Sequence, residues 1–183
     1  RPHDIGVPRH LQPDPVALLA DDGAIAGIPH RDQADDKYRA GSVVLVAGSP
    51  GMSGAARLSS RAALRAGAGI VIACVPPSVH AEVAAHTPEV MVTGCDRDEV
   101  ERQVARATAV GLGPGLGREE ATTGVVRDLL GAIDRPLVLD ADGLWHLGDD
   151  LALLRGRPAP TVITPHSGEA ARLLGTDRAK VDA

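Results

Sequence analysis

From Ser42 onward, short and mostly apolar runs alternate with segments that have helical periodicity. Continuous apolar strands are typical of a parallel sheet that is covered on both faces, because a strand with one solvated face alternates apolar and polar residues. Strands that alternate with helices form βαβ units. The pattern therefore predicts an α/β fold with a doubly wound, mostly parallel sheet. The predicted strands are residues 43–47, 70–75, 90–92, 107–110, 136–139 and 160–163.

Local signals delimit the predicted helices. Asp96 precedes an amphipathic segment and is the expected N-cap of its helix. Gly67-Ala68-Gly69 is a typical C-terminal stop for the helix before it. The predicted helices are residues 54–66, 76–83, 96–107 and 118–133, one that ends near residue 174, and the beginning of another over 176–183.

Composition excludes several classes of function. Aromatic residues make up 1% of the chain, which has no Phe, one Tyr and one Trp, so the core consists of Ala, Val, Leu and Ile. Platforms that stack nucleic-acid bases need aromatic faces. The formal net charge is -5 without a basic patch, so binding to a phosphate backbone is not expected. No apolar run reaches about 18 residues, so no membrane span is expected either.

The two cysteines and most of the histidines carry no recognisable site pattern. Cys74 and Cys95 are not spaced as metal ligands, so we expect two buried free thiols in a reducing compartment and a cytoplasmic protein. The sequence indicates no metal site. His166 excepted, the histidines lie in linker or helical contexts and are expected to be solvated. They are residues His3, His10, His30, His80, His86 and His146.

Residues 1–36 differ in composition from the rest. They are rich in Pro, Asp and His and contain one short apolar patch, Val16 to Ala20. We interpret them as a linker that follows the end of another domain, with the α/β domain over residues 37–183. A chain that opens inside a motif without Met is expected to be a partial sequence.

Two of the predicted strands are followed by glycine-rich loops. The segment from Ala47 to Ala56 has glycines at 48, 51 and 54, and the segment Gly111 to Gly117 has four glycines in seven residues. Neither segment has the Walker A pattern or the GxGxxG fingerprint. Both are compatible with tight strand–helix packing, and equally with backbone that approaches a bulky ligand. The exits of parallel strands converge on one edge of the sheet, so these loops are expected to face each other.

Two further exits carry titratable side chains. Asp140 and Asp142 follow a strand, where they either bind a cation, phosphate or ribose, or satisfy backbone amides with Asp142 as an N-cap. His166 follows the last predicted strand, where a lone histidine is often a cap or a hydrogen-bonding core residue, with Ser167 as a possible N-cap and Glu169 in the first helical turn. The alternative is that His166 contacts a ligand and Glu169 holds it.

Six segments occur together along the chain. They are Lys37 to Gly41, Ala47 to Ala56, Leu64 to Gly69, Gly111 to Gly117, Leu139 to Leu144 and Thr164 to Glu169. In order and approximate spacing they resemble the ADP-dependent NAD(P)H-hydrate dehydratases, a ribokinase-like family. The resemblance covers about residues 37–174. In addition, Asp4 to Pro8 resembles the end of the NAD(P)H-hydrate epimerase domain that often precedes the dehydratase in one bifunctional chain.

The resemblance implies a repair reaction on nicotinamide cofactors. The substrate is hydrated NADH or NADPH, which carries a hydroxyl on the reduced ring. ADP, or ATP in many eukaryotic members, phosphorylates that hydroxyl, and loss of phosphate restores the cofactor. The implied co-substrate is therefore ADP or ATP, with Mg as a further expected component, and a homo-oligomer is the expected assembly.

By motif position, the resemblance assigns contacts with the hydrated dinucleotide to Ala55, Gly115 and His166. It assigns supporting positions to Gly113, Asp140, Asp142 and Glu169.

Family members continue with a Gly-Thr-Gly-Asp motif whose Asp is the expected catalytic base, and this motif does not occur in the 183 residues. The chain is therefore expected to hold the substrate side of the site, without a catalytic residue, and to be inactive alone. Two other functions remain open. One is a ribokinase-like kinase for a small hydroxylated molecule, and the other is a non-catalytic interaction module.

Overall fold

The structure is a computed structural model that describes residues 36–182. The predictions for the linker and for the end of a preceding domain lie outside the described residues. The strands are β1 (Ser42–Val46), β2 (Ile70–Cys74), β3 (Met91–Thr93), β4 (Ala109–Leu112), β5 (Leu137–Leu139) and β6 (Thr161–Ile163). The helices are α1 (Ser53–Arg65), α2 (Pro77–His86), α3 (Arg97–Val104), α4 (Glu120–Ala132), α5 (Asp142–Leu147), α6 (Ala152–Arg155), α7 (Ser167–Leu173) and α8 (Arg178–Val181).

The six strands form one sheet in the order β3-β2-β1-β4-β5-β6, and every pair in it is parallel. The predicted α/β fold with a doubly wound sheet is confirmed. The chain moves outward from β1 to β2 and β3, then returns and moves outward in the other direction from β4. The strand order therefore reverses between β1 and β4. In open parallel sheets such a reversal leaves a crevice at the carboxyl ends of the two strands.

Alternate residues of β1 enter two separate hydrophobic clusters. Val44 and Val46 pack with residues of α3, α4, α5 and α7, whereas Leu45 packs with residues of α1 and α2. The core lacks aromatic residues on both faces, as the composition predicts. Helices thus lie on both sides of the sheet, and the strand exits are left to form loops at its edge.

Two helix ends follow the sequence signals closely. Asp96 is the N-cap of α3, and its Oδ1 atom accepts a hydrogen bond from the Glu99 amide at 3.0 Å. Gly67 follows α1 with φ of 107°, and its amide donates to Leu64 O at 3.0 Å while the Ala68 amide donates to Ala63 O at 3.1 Å. These two bonds form a Schellman motif, which requires the left-handed residue that glycine provides.

The glycine-rich segment begins later than predicted. Gly111 and Leu112 belong to β4, where they pair with Val138 and Leu139 of β5. Leu112 is fully buried, and a Cβ atom on Gly111 would lie 2.6 Å from Leu45 Cδ2. The strand therefore continues through Leu112, and the free loop starts at Gly113.

The prediction that helices cover both faces of the sheet is only partly correct. Val138 of β5 and its register partner Val162 of β6 are 44% and 56% exposed. They lie on the same face because paired residues share a face, and no helix of residues 36–182 buries them there. The continuous apolar runs of β5 and β6 thus do not report burial on both faces within the described chain.

The two thiols differ in burial. Cys74 is free and fully buried at the end of β2, where burial raises the pKa of its thiol to about 12. Cys95 is free but only partly buried, so the prediction of two buried thiols is wrong for it. Burial also raises the pKa of the Cys95 thiol. None of the helices in the described part of the chain combines the length and apolar sequence needed to cross a bilayer.

Candidate functional site

The exit loops of β1 and β4 meet at the reversal of strand order, as predicted. The Gly48 amide donates to Pro114 O at 2.9 Å, and the Gly113 amide donates to Val46 O at 3.1 Å. Backbone therefore joins the two loops directly. We call residues Gly113 to Gly117 the glycine loop.

Ala55 and Gly115 face each other across these two loops. Gly115 has φ of 66°, a conformation that residues with a Cβ atom rarely adopt. A Cβ atom placed on it would lie 2.7 Å from Cβ of Ala55 and 3.0 Å from Met52 O. The site thus has an α-helical wall of small side chains on one side and bare backbone on the other.

Gly113 lies directly against the exit of β5. A Cβ atom on it would lie 1.9 Å from Asp140 O and 2.7 Å from the Gly143 amide nitrogen. The Asp140 to Gly143 segment is a tight turn in which the Gly143 amide donates to Asp140 O at 2.9 Å. Close backbone packing therefore explains the glycine at 113, with no ligand required.

Ala141 takes a strained conformation at that turn. Its φ of 49° and ψ of -121° make it the one non-glycine residue with positive φ in the described chain. Such residues cost on the order of 1–3 kcal/mol and cluster at functional sites, because surrounding structure must hold them in place. The strain here places Asp142 at the first position of α5.

Asp142 holds the end of the glycine loop. It is 8% exposed, and its Oδ2 atom accepts from the Gly117 amide while Oδ1 accepts from Arg118 Nε, both at 3.0 Å. The alternative of Asp142 as an N-cap is wrong, because Ala141 occupies that position. Asp140 is half-buried at the β5 exit. Within residues 36–182 no three His, Cys, Asp or Glu side chains are grouped as metal ligands, so no residue is assigned to a metal.

His146 is the main site residue that sequence reasoning misplaces. Predicted to be solvated, it is 1% exposed, with Nε2 2.8 Å from Gly117 O and Nδ1 2.8 Å from Thr123 Oγ1. The available signal is its spacing, because His146 follows Asp142 by four residues and shares a face with it on a helix. The segment after Asp140 was predicted as an exit loop, and helix α5 replaces that loop. His80 is also half-buried, with Nε2 3.0 Å from Val92 O.

His166 and Glu169 form the start of α7 at the exit of β6. His166, and not Ser167, is the N-cap, since its Nδ1 atom accepts from the Gly168 amide at 3.0 Å. Glu169 Oε2 accepts from the His166 amide at 3.0 Å, and Glu169 Oε1 lies 3.4 Å from Nε2 of the ring. Glu169 therefore holds His166, whose side chain remains 70% exposed.

The predicted site residues fall into two groups. Ala55, Gly113, Gly115 and Asp142 meet around the glycine loop, together with the turn at Asp140. His166 and Glu169 lie one strand further along, because β5 separates β4 from β6. All of them occupy the same edge of the sheet, at the carboxyl ends of parallel strands.

The N-terminus of α1 lies at this edge without a side-chain cap. Met52 occupies the N-cap position and makes no side-chain bond to the helix, and the first turn contains no acidic residue. Ser49 Oγ is buried nearby without a hydrogen-bond partner among the described residues. Amides at a helix start attract anions, and the Glu82 carboxylate of α2 already accepts from Ser53 Oγ at this end of α1, at 2.6 Å.

A cavity of about 440 Å³ lies at the opposite edge of the sheet. Its lining includes Ser42, Ile70 and Met91, which are the first residues of β1, β2 and β3. Ligands of doubly wound sheets bind at the carboxyl ends of the strands. The cavity is therefore not part of the candidate site.

Known proteins of one family match this chain. A sequence model of the NAD(P)H-hydrate dehydratase family matches residues 43–182. A bifunctional NAD(P)H-hydrate repair enzyme of Moorella thermoacetica is 39% identical in an alignment 192 residues long. The alignment covers 97% of this chain and 36% of the relative. The Mycobacterium tuberculosis enzyme of the same name is 43% identical over 141 residues, 77% of this chain and 28% of the relative. The chain thus spans about a third of these curated relatives.

Solved structures share the fold. An ADP/ATP-dependent NAD(P)H-hydrate dehydratase from Bacillus subtilis, co-crystallised with ATP and Mg²⁺, aligns with a TM-score of 0.71 and 28% identity. The alignment covers 88% of this chain and 57% of that chain. A ribokinase-like superfamily protein from Enterococcus faecalis aligns with a TM-score of 0.75, 26% identity and the same two coverages. Because the family model matches residues 43–182, which are most of this chain, the chain belongs to the NAD(P)H-hydrate dehydratase family.

Proposed function

We propose that residues 36–182 form the substrate-binding side of a dehydratase that returns hydrated NADH or NADPH to the intact cofactor. The observation that carries the proposal is the pair Ala55 and Gly115, which pack against each other at the reversal of strand order, are both partly exposed, and present only a methyl group and backbone there. A surface of small groups and backbone at this reversal lets a large, flat ligand approach the main chain closely. Ala55 and Gly115 contact the hydrated dinucleotide in this proposal.

The anionic part of the dinucleotide binds at the start of α1. The supporting observation is that this helix end has no side-chain cap and no acidic residue in its first turn. Its 13 residues give the helix a substantial dipole, which favours a phosphate group near its N-terminus. The bound pyrophosphate would lie beside Ala55, the third residue of the helix.

His166 supplies a polar contact from the exit of β6. Its exposed ring is oriented by the Glu169 carboxylate, and Nδ1 accepts backbone amides, so Nε2 is the nitrogen that carries hydrogen. That N–H is able to donate to an oxygen of the substrate. Asp140 and Asp142 act differently, because Asp142 is engaged with the glycine loop and Asp140 forms the turn behind it.

ADP or ATP is the proposed co-substrate, and Mg²⁺ the proposed companion of its phosphates. Support comes from the B. subtilis relative co-crystallised with ATP and Mg²⁺. None of the described residues is assigned to either group, because residues 36–182 contain no metal-ligand cluster and the chain contains no Gly-Thr-Gly-Asp motif. The proposal assigns no catalytic base, and we expect no turnover by the 183 residues alone.

Three broader assignments accompany this proposal. Residues 1–36 correspond to the end of an epimerase-like domain and its linker, in line with a bifunctional relative that aligns with 97% of the chain. The active protein is a homo-oligomer. It works in the cytoplasm, which agrees with the free, fully buried thiol of Cys74.

Fluorescence of Trp145, the one tryptophan of the chain, provides a direct test. Its ring lies 5.0 Å from that of His146, which contacts the glycine loop. The 183-residue chain is titrated with hydrated NADPH, intact NADPH and ADP. We expect saturable binding of hydrated NADPH, weaker binding of intact NADPH and the weakest binding of ADP. Preferential binding of ADP would contradict the proposed substrate side.

The kinase alternative is tested on a full-length relative with ATP. Hydrated NADPH and small hydroxylated molecules are supplied in parallel, and products are separated by mass. A stable phosphorylated product of a small molecule supports a kinase. Recovery of NADPH with release of phosphate supports the dehydratase.

A further inference from the structure

Gly117, the last residue of the glycine loop, is held at both of its backbone polar groups by one short helix. Its amide donates to Asp142 Oδ2 at 3.0 Å, and its carbonyl lies 2.8 Å from His146 Nε2. Asp142 and His146 are one helical turn apart on α5. The two side chains therefore bind the backbone of Gly117 from the same face of the helix.

The hydrogen-bond partners fix the tautomer of His146. A carbonyl oxygen only accepts, so Nε2 carries the hydrogen that points at Gly117 O. In the neutral ring Nδ1 is then an acceptor, and the Thr123 hydroxyl of α4 donates to it over 2.8 Å. His146 thus connects α4, α5 and the glycine loop in one chain of hydrogen bonds.

The glycine loop needs such an anchor. Gly113, Gly115 and Gly117 all have positive φ, with values of 130°, 66° and 78°. Glycines lose more conformational freedom on folding than other residues, so a loop with three of them holds one conformation only if other groups fix it. The first end is fixed by the bond from the Gly113 amide to Val46 O. Asp142 and His146 fix the second end.

We propose that His146, together with Asp142, is a positioning residue that holds the glycine loop in the conformation in which Gly115 packs on Ala55 and presents its backbone to the substrate. His146 is 1% exposed and reaches the loop only through Gly117 O, so it acts through Gly117 and not on the ligand itself. Loss of this contact releases the loop that carries Gly115. The inference rests on the proposed function for its ligand, while the anchoring itself is measurable without any ligand.

Amide hydrogen exchange of the full 183-residue chain tests the anchor. His146→Leu keeps an apolar side chain in the space but leaves Gly117 O and Thr123 Oγ1 without partners. We expect exchange over residues 113–118 to rise about tenfold or more, because two part-buried polar atoms lose their hydrogen-bond partner. Exchange over residues 70–86, in β2 and α2, should stay the same. The matched control is His86→Leu, since His86 is exposed and its Nδ1 atom contacts only Glu82 O of its own helix, at 2.8 Å.

Conservative variants separate positioning from general packing. His146→Gln retains an N–H donor near the Nε2 position and should restore much of the protection. Thr123→Val removes only the hydroxyl and should give an intermediate effect. If His146→Leu fails to fold, these two variants still decide whether His146 anchors the glycine loop. The proposal is overturned if exchange over 113–118 is unchanged, or if it rises only in parallel with that over 70–86.

Binding of hydrated NADPH completes the test. In His146→Leu the Kd should rise about tenfold, and in His146→Gln it should return toward the wild-type value. A loop that is released without any change in Kd would overturn the link to the substrate. If the wild-type chain binds no hydrated NADPH, the proposed function fails, and the exchange comparison still decides whether His146 anchors the loop.

Discussion

The close contact between Gly115 and Ala55 predicts how much stability the chain loses when Gly115 is replaced. Replacing Gly115 with Ala adds a Cβ atom 2.7 Å from Ala55 Cβ and 3.0 Å from Met52 O. It also places a Cβ-bearing residue at φ of 66°. Two separable costs follow, one from the backbone conformation and one from the contact.

The conformational cost is about 1–2 kcal/mol for an L-residue in the left-handed region. The contact cost is about 1–3 kcal/mol, since overpacking forces neighbouring atoms to move. Gly115→Ala should therefore lower the free energy of unfolding by about 2–5 kcal/mol. Gly51 offers a matched control in the facing loop, because its φ is 80° and nothing lies within 4 Å of its Cβ position. Gly51→Ala should cost only the conformational part, about 1–2 kcal/mol.

A double-mutant cycle with Ala55→Gly isolates the contact. Ala55→Gly alone should cost about 1 kcal/mol as a helix substitution. In the double variant the closest clash is gone, so the loss should be smaller than the sum of the single losses by about 1–3 kcal/mol. Recovery is partial, because Met52 O remains 3.0 Å away. Urea unfolding monitored by Trp145 fluorescence gives all four values. Equal losses for Gly115→Ala and Gly51→Ala, or strictly additive losses in the cycle, would refute the packing described.

Three further predictions concern the same edge of the sheet and the core. In a full-length relative, the Val substitution at the position of Gly115 should raise the Kd for hydrated NADPH more than that for ADP, as measured by calorimetry; equal losses would argue against the placement of the substrate. Ala141→Gly should raise the free energy of unfolding by about 1 kcal/mol, because φ of 49° is strained for Ala and not for Gly; no gain in urea unfolding would mean that the turn is not strained. The pKa of Cys74, about 12 against 9.0 for an unburied thiol, means that the unfolded state loses this proton first as pH rises. Stability should therefore fall between pH 9 and 12 by up to about 1.4 kcal/mol per pH unit, and the fall should be smaller in Cys74→Ala; identical pH profiles for the two proteins would count against it.

The sheet was predictable because its strands carry their own signal. Runs such as Val43 to Val46 are continuously apolar, and each is followed by a helical pattern, which leaves a parallel sheet as the arrangement that buries them. The convergence of the loops after β1 and β4 follows from that topology alone. The exposed faces of Val138 and Val162 were not predictable, since an apolar strand reads the same whether or not a helix covers it.

Helix α5, which contacts the glycine loop through Asp142 and His146, was not predictable from local patterns. Helix α5 has only six residues and begins after Ala141, whose positive φ gives no sequence signal. Without that helix, Asp142 and His146 have no common face, and a lone histidine is normally solvated. A cap was one expected role of His166, but residue type favoured Ser167 as the N-cap, because capping is typical of Ser, Thr, Asp and Asn. The capping box with Glu169 depends on the imidazole Nδ1 as acceptor.

We propose that this chain holds the part of the site that recognises hydrated nicotinamide dinucleotides. Titration of the 183-residue chain with hydrated NADPH and with intact NADPH, monitored by Trp145 fluorescence, tests it most directly. The predicted result is one saturable site that binds hydrated NADPH more tightly than intact NADPH. The absence of saturable binding of hydrated NADPH, or equal affinity for both forms, would contradict it.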